Sequence, residues 1–211
     1  MVKVDMTMSL DAYVAGPNAT LEKPLGESGD RLHEWMVHLA SFRQMHGLEG
    51  GEIGPEDDRF RASVEANGAV VMGRRMFSGG AGAWEDDPNA SGWWGDEPPF
   101  GTPVFVVTHH EREPLARGAT TFRFVTDGVA SALEQARAAA GERDVLVAGG
   151  AAVVGQALAA GLVDELHVHV APLLLGGGVR LFDGLESRPE LEVARVAESR
   201  DATHLSYRVR R

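Results

Sequence analysis

Two adjacent glycines, Gly149 and Gly150, separate a short apolar run from an alanine-rich stretch. Residues 145–148 are Val-Leu-Val-Ala, which is typical of a buried strand, and residues 151–160 have the pattern of a helix. A strand that passes into a helix this abruptly leaves backbone N–H groups and the positive end of the helix dipole over the turn. Because glycine has no Cβ, an anion can approach this backbone closely. The turn predicts a phosphate or pyrophosphate site, and an ordinary tight turn without a ligand is the alternative.

Two familiar phosphate-binding loops do not explain this turn. Gly150 and Gly155 have the spacing of the P-loop glycines, but Gln156 and Ala157 stand where that loop requires Lys and Ser or Thr. The G-x-G-x-x-G pattern of the Rossmann fold is also absent from the sequence. The sequence therefore indicates a dinucleotide or phosphate cradle of another fold.

Size and composition restrict the class of protein. The chain has 211 residues and 44% hydrophobic residues, so we expect one domain over residues 1–211 with an ordinary core. A formal net charge of −11 argues against a nucleic-acid partner, because polyphosphate binding needs a basic surface. The absence of cysteine excludes disulfides, thiolate catalysis and cysteine-bound zinc. Without a signal-peptide pattern or a membrane-length apolar run, we expect a cytoplasmic protein with no membrane partner.

Strand and helix patterns alternate along most of the chain. Strands are predicted at residues 2–10, 69–72, 103–107, 121–125, 163–171, 191–196 and 203–209, with a further strand leading into Gly149. Helices are predicted at residues 31–43, 56–66, 129–140 and 151–160. This order predicts an α/β fold with a largely parallel sheet and an antiparallel C-terminal edge.

Two more predicted strands end in polar residues. The strand at 69–72 runs into Gly73-Arg74-Arg75, and the strand at 103–107 runs into Thr108 and His109. Arginine presents a planar fork of donors that matches phosphate oxygens, and it stacks on adenine. Together with the Gly-Gly turn, these groups suggest a ligand with phosphates in two places, as in NADPH. The alternatives are a solvated arginine pair and a polar loop start.

The segment 77–101 is rich in glycine and proline and contains Trp84, Trp93 and Trp94. Long loops in a compact domain are usually functional or mobile. The tryptophans either cover an aromatic substrate or attach the loop to the core or to a second subunit, and the sequence supports both interpretations equally.

The histidines do not predict a metal site. His33 and His38 are five residues apart, which puts them on different faces of a helix, and the H-E-x-x-H zinc motif requires four. His167 and His169 share a strand face but have no evident third ligand. Asp11, at the end of the first strand, either binds a substrate amide or hydroxyl or caps the turn.

The order of these units resembles the dihydrofolate-reductase-like superfamily, and in particular the reductase C-terminal domain of the riboflavin-biosynthesis deaminase–reductase. The matching segments are Met8-Ser-Leu-Asp11 with Gly16, Val70-Val-Met-Gly73-Arg74-Arg75, Val106-Val-Thr108, Val147-Ala-Gly149-Gly150, and Val163-Asp-Glu-Leu followed by Pro172-Leu-Leu-Leu-Gly-Gly-Gly178. The resemblance covers residues 2–209. It implies a three-layer α/β fold with about eight strands, helices on both faces, and NADPH as hydride donor.

The resemblance also implies roles for individual residues. The pyrophosphate would meet Gly149 and Gly150 with the helix start Ala151, Ala152 and Val153. The adenosine 2′-phosphate end would meet Gly73, Arg74, Arg75 and Thr108, and His109 is a candidate for the same contact from its place at the strand end. The nicotinamide would lie near Val14, Ala15 and Gly16. Trp35 and Trp84 are candidate substrate contacts, and dimers are common among relatives.

The expected function is therefore an NADPH-dependent reductase of the riboflavin type, which acts on a small-molecule substrate as a homodimer. The proton would come from water or from Asp11. The alternatives are a dihydrofolate, pterin or other small-molecule reductase, and a non-catalytic NADP(H)-binding protein. Two departures from the family pattern bear on the substrate. Ala12 replaces the glycine that usually follows Ser-Leu-Asp, and Glu34 is the only acid within the first predicted helix.

Overall fold

Eleven strands and six α-helices form the part of the chain that the computed structural model describes, residues 1–185 and 187–210. The strands are β1 Val2–Ser9, β2 Tyr13–Ala15, β3 Asn67–Gly73, β4 Val104–Val107, β5 Leu115–Arg117, β6 Thr120–Val125, β7 Asp144–Gly149, β8 Glu165–Ala171, β9 Val179–Arg180, β10 Glu190–Glu198 and β11 Thr203–Arg210. The helices are α1 Glu34–Val37, α2 Ala40–Met45, α3 Pro55–Glu65, α4 Arg74–Ser78, α5 Gly128–Ala140 and α6 Ala151–Ala159, with short 3-10 helices at Gly29–His33 and Trp84–Asp86. Within these described ranges, no helix has the length and apolar character needed to cross a membrane.

Nine of the strands form one sheet in the order β10-β11-β8-β1-β7-β3-β4-β6-β5. The six strands from β8 to β6 are parallel, whereas β10 and β11 at one edge and β5 at the other are antiparallel. The predicted α/β class and the antiparallel C-terminal edge are confirmed. The three-residue strand β5 was not predicted, because Leu-Ala-Arg is too short to show alternation. Strands β2 and β9, also too short to predict, pair with each other as a separate two-stranded sheet.

The sheet lies between two layers. On one face, α5 and α6 cover β1, β3, β7 and β8 through a core of small aliphatic residues that includes Val4, Val71 and Val147. On the other face, side chains of β3, β4 and β6 pack against Phe77 and the loop that follows it. Next to them, Trp35 in α1 and α3 cover the polar face of β1 and β8. This arrangement leaves the carboxyl edge of the parallel strands free for a ligand.

The predicted helix at residues 31–43 is interrupted, which corrects that prediction. Leu39 is extended, with φ −68° and ψ 139°, and it forms a bridge with Glu52. The new helix that begins at Ala40 has its first turn satisfied from outside, because the Asp57 carboxylate accepts a hydrogen bond from the Ser41 N–H at 2.7 Å. A carboxylate that is distant in sequence therefore stabilises the start of this helix, and the local apolar periodicity does not reveal that contact.

Candidate functional site

Six parallel strands end at the same edge of the sheet. The residues at these ends are Ser9, Gly73, Val107, Val125, Gly149 and Ala171. Strand β7 lies between β1 and β3, so the Gly149–Gly150 turn is central at this edge. In open α/β sheets, ligands bind outside the carboxyl ends of the strands, where the strand order changes direction.

The turns after β3 and β7 are in contact. A Cβ built on Gly73 would lie 3.1 Å from Val153 Cγ2, 3.7 Å from the Gly150 nitrogen and 3.9 Å from the Gly149 oxygen. Gly149 has a φ of +125°, and a Cβ there would lie 3.1 Å from Met6 Sδ. Gly149 favours glycine because of its positive φ, and a side chain on Gly73 would be tight against Val153 at the start of α6. This contact was not predicted, although both glycines were.

Helix α6 begins at this contact without a cap. Gly150 occupies the N-cap position, and in the part of the chain that the structure describes no side-chain cap forms at this helix. The N–H groups of Ala151 and Ala152 have no acceptor inside the helix, whereas those of Val153 and Val154 bond to the Gly150 carbonyl. A Cβ built on Gly150 would meet nothing within 4 Å. The helix thus directs free donors and its positive dipole end towards open space, as an anion site requires.

The two arginines after Gly73 have different environments. Arg74 is 6% exposed, its Nη2 lies 2.5 Å from Asp87 Oδ2, and it also donates to Ser78 Oγ. Its guanidinium carbon lies 3.5 Å from the centre of the Trp84 ring. Arg74 is thus part of a buried ion pair with Asp87, an environment that favours a structural role over the predicted phosphate contact. Arg75 is exposed and remains the candidate of the pair.

Thr108 and His109 follow β4 at the same edge. Thr108 is buried, and its hydroxyl accepts a hydrogen bond from the His110 N–H at 3.2 Å, which stabilises the turn. His109 is exposed. The predicted cofactor contacts at these residues therefore depend on His109 and on backbone groups more than on the Thr108 hydroxyl.

Asp11 fastens two loops together. Its carboxylate accepts hydrogen bonds from Ser9 Oγ at 2.5 Å, Leu175 N at 3.1 Å and Gly176 N at 2.7 Å. The Ser9 hydrogen bond, with the Gly176 and Leu175 N–H groups, lowers the pKa of Asp11 to about 2. A carboxyl group with this pKa is ionised at neutral pH and has no proton to give. The geometry favours the turn-capping interpretation over proton donation.

Residues 14–16 lie within the strand and loop next to Asp11. Val14 is half-buried, whereas Ala15 and Gly16 are buried. Gly16 is enclosed by the following loop, since its N–H donates to the Leu25 carbonyl and a Cβ would lie 2.0 Å from the Glu27 oxygen. Of these three predicted cofactor residues, Val14 has the most accessible side chain.

Trp35, a predicted substrate contact, is 5% exposed and forms part of the layer between α1 and the sheet. Its Nε1 donates to Thr7 Oγ1 at 3.1 Å, and its ring lies 4.5 Å from the His169 ring and 5.1 Å from the His204 ring. This is the environment of a core residue with a satisfied polar atom.

The tryptophan loop is attached to the sheet. Trp84 donates from Nε1 to the His110 carbonyl at 3.0 Å, and its ring packs edge-on against Phe124 at 4.9 Å. Trp94 packs against Phe100 at 4.8 Å. These contacts favour the interpretation that the loop is pinned to the core. They also put Trp84 beside β4 and β6, away from the predicted nicotinamide end at β1.

Sequence reasoning missed Arg112. Its guanidinium carbon lies 4.8 Å from the centre of the Trp84 ring and 5.3 Å from that of Phe124, and its Nη1 donates to the Ala90 carbonyl. Arg112 also lines an open pocket of about 480 Å³ with Phe124 and Thr126, the latter directly after β6. The available signal was its place in the loop after β4, at the carboxyl edge.

The sheet order and the layers define an α/β domain with the dihydrofolate-reductase-like fold. More narrowly, the chain belongs to the RibD C-terminal domain family, whose sequence profile matches residues 1–205. The sequence motifs predicted membership of this family. No curated protein matches the chain significantly in sequence.

Solved structures show the same fold at low sequence identity. A candidate riboflavin biosynthesis protein from Shewanella sp. PV-4 has 22% identity and a TM-score of 0.65, with 100% of this chain and 99% of that chain covered. The diaminohydroxyphosphoribosylaminopyrimidine deaminase/5-amino-6-(5-phosphoribosylamino)uracil reductase of Thermotoga maritima has 15% identity and a TM-score of 0.52, with 99% and 56% covered. RibD of Acinetobacter baumannii has 14% identity and a TM-score of 0.55, with 100% and 58% covered. The chain thus spans little more than half of these last two proteins.

Proposed function

We propose that residues 1–211 form one NADPH-dependent reductase domain that acts in the cytoplasm on a small pyrimidine substrate. The contact between the Gly73 and Gly149–Gly150 turns, beneath the uncapped start of α6, carries the proposal. An anion over this turn would accept hydrogen bonds from the N–H groups of Ala151 and Ala152, and the helix dipole would stabilise its charge. The open space over Gly150 fits a pyrophosphate, because no side chain fills it.

The other predicted cofactor residues extend along the edge in a consistent order. Val14 to Gly16 follow β1 on one side of β7, while Gly73 to Arg75 follow β3 on the other side, with Thr108 and His109 one strand further. A dinucleotide lying across this edge would therefore reach from the β1 loop to the β4 loop. Bound NADPH would supply the hydride.

The residues of this chain would position the substrate and exclude water. Asp11 holds the 174–178 loop against the β1 loop, and a Cβ on Gly178 would lie 2.1 Å from the Ala15 oxygen, so the two loops form one closely packed unit. This unit borders the predicted nicotinamide end. Since Asp11 is ionised, the proton in the proposed reaction comes from water.

The proposed substrate class is an aminopyrimidine carrying a phosphoribosyl group, as in the name of the Thermotoga maritima relative. A pterin reductase fits less well. Glu34, the only acid of the first predicted helix, has an exposed side chain and lies 3.6 Å from the Arg31 guanidinium, on the surface. An acidic side chain that protonates a pterin would need to face the substrate beside the cofactor.

We also propose that the domain forms a homodimer through one face of β10 and β11. The register pairs Leu191 with Val209, Val193 with Tyr207, and Val196 with Leu205. A β-bulge between Val193 and Arg195 keeps all six apolar residues on one face, which continues into the core through Leu166 and Val168. Val193 and Val196 are each 62% exposed, and uncovered apolar strand faces of this kind are typical of subunit contacts.

Turnover assays test the proposed activity. The purified protein is mixed with NADPH and, in separate reactions, with 5-amino-6-(5-phosphoribosylamino)uracil or dihydrofolate, and the loss of NADPH is followed. We expect NADPH to be oxidised in the reaction with the pyrimidine and not in the reaction with dihydrofolate. Oxidation only with dihydrofolate would move the protein to the pterin reductases, and tight NADPH binding without turnover of either substrate would favour the non-catalytic alternative.

A further inference from the structure

Two arginines contact the same tryptophan ring, next to the open pocket at the end of β6 that Arg112 lines. Arg74 and Arg112 both lie against the Trp84 ring, with guanidinium carbons 3.5 and 4.8 Å from its centre. Asp87 pairs with Arg74, and among the described residues no carboxylate forms an ion pair with Arg112. Arg112 therefore has no direct ion-pair partner among these residues, and the nearby negative charges are those of Asp87, Glu111 and Glu113.

Arg112 is also held in place. Its Nη1 donates to the Ala90 carbonyl, and its guanidinium lies against both the Trp84 and the Phe124 rings. Burial lowers the pKa of Arg112, and the nearby charges of Arg74 and Arg117 lower it further, whereas the Asp87 charge opposes this shift. The net effect opposes the positive charge of Arg112, so a bound anion that neutralised this charge would be favoured.

The pocket suits a nucleotide. Its volume of about 480 Å³ lies in the range of small-ligand sites, and its lining combines the Arg112 guanidinium with the Phe124 ring. Arginine both stacks on planar rings and binds phosphate with two parallel hydrogen bonds. Thr126 follows β6, which is two strands from β3, so the pocket lies within about 10 Å of the Gly73 turn at the usual strand spacing.

We propose that Arg112 binds the 2′-phosphate of NADPH and selects this cofactor over NADH, a proposal that rests on the NADPH-dependent function above. Arg74 holds the Trp84 ring against which Arg112 lies, but its own charge is neutralised by Asp87. Arg75 is exposed, and a free side chain would lose more conformational entropy on binding than the pre-arranged Arg112. Glu111 and Glu113 line the same pocket and weaken its attraction for anions.

The test compares dissociation constants for NADPH and NADH in the wild type and in Arg112→Gln, measured by isothermal titration. Glutamine retains a donor for the Ala90 carbonyl but removes the charge. We expect NADPH binding to weaken about 10- to 100-fold, the range for losing a hydrogen bond to a charged group, with NADH binding changed less than about twofold. Arg123→Gln is the matched control, since Arg123 is exposed on β6 and next to Phe124 in sequence, and it should change neither constant.

Two further variants sharpen the result. Glu113→Gln should tighten NADPH binding and leave NADH binding unchanged, because it removes a negative charge from the pocket. The Tm of each variant shows whether the fold is intact. Arg112→Lys keeps the charge but loses the planar fork, so it should restore part of the NADPH preference.

The outcomes separate this inference from the function on which it rests. An unchanged NADPH/NADH ratio in Arg112→Gln, or an equal loss for both cofactors, would overturn the role of Arg112 while the reductase proposal stands. A wild-type protein that prefers NADH would also overturn it. Failure of the wild type to bind either cofactor would overturn the proposed function itself, and the role of Arg112 with it.

Discussion

The guanidinium carbon of Arg74 lies 3.5 Å from the centre of the Trp84 ring. The same group pairs with Asp87, and both side chains are nearly inaccessible to solvent. Arg74 therefore links the start of α4 to the 77–101 loop. The adjacent Arg75, in contrast, is exposed to solvent.

This difference predicts opposite results for the two arginine variants. Arg74→Ala should lower the free energy of unfolding by about 3 kcal/mol, because Asp87 would remain buried without its cation. Arg75→Ala should leave stability unchanged within about 0.5 kcal/mol, as is usual for exposed sites. Urea denaturation of both variants measures the difference, and equal stabilities would contradict the assigned burial of Arg74.

A second prediction concerns the loss of folding stability at acidic pH. His169 Nε2 lies 2.8 Å from Asp5 Oδ1, and His169 Nδ1 lies 2.6 Å from His204 Nδ1. Burial, together with the His169 charge, lowers the pKa of His204 below 6.5, despite the opposing effect of Glu56. The unfolded chain then binds a proton more readily than the folded one, so stability is complete above pH 6.5 and falls as the pH drops below it.

Thermal unfolding across this range provides the check. Tm should fall as the pH decreases from about 7 to 5, and His204→Gln should reduce that slope. His46→Gln, at an exposed histidine, is the control and should leave the slope unchanged. Asp5 adds a second loss at lower pH. Burial by itself raises its pKa, but His169, His167 and Lys3 outweigh burial and lower the pKa to about 2, so its contribution disappears as the pH falls from 3.8 towards that value.

Asp11 provides a third prediction. Its carboxylate holds the 174–178 loop by accepting hydrogen bonds from the Leu175 and Gly176 N–H groups. Because Asp11→Asn weakens these hydrogen bonds, we expect it to raise KM and lower kcat through a less ordered loop. The pH profile of kcat in the wild type should show no ionisation assigned to Asp11 above about pH 4. If kcat of the wild type fell at acidic pH with an ionisation above about pH 4, and this ionisation were absent in Asp11→Asn, Asp11 would be the proton donor.

The proposed dimer depends on the bulge in β10, which predicts a fourth result. Val193→Glu puts a charge on the apolar face, whereas Arg195→Glu puts the same side chain on the opposite face of the same strand. We expect Val193→Glu to be monomeric and Arg195→Glu to remain dimeric in analytical ultracentrifugation. A monomeric wild type would exclude this interface.

The sequence predicted what local patterns encode. The Gly149–Gly150 turn, the strands that end at Gly73 and Thr108, and the antiparallel C-terminal strands all follow from apolar periodicity and glycine position. Long-range contacts were not predictable. The burial of Arg74 depends on Asp87, thirteen residues later, and the break at Leu39 depends on Glu52 and Asp57. Nor does periodicity distinguish the buried Trp35 from a tryptophan that faces a ligand.

Titration of NADPH into Gly150→Val tests the central claim most directly. A side chain at this position meets open space in the protein itself, but it would occupy the space assigned to the pyrophosphate. The account predicts a Tm close to that of the wild type and at least about 100-fold weaker NADPH binding. Gly155→Ala on the same helix, also in open space, should bind NADPH like the wild type. A folded Gly150→Val protein that bound NADPH with wild-type affinity would contradict the account.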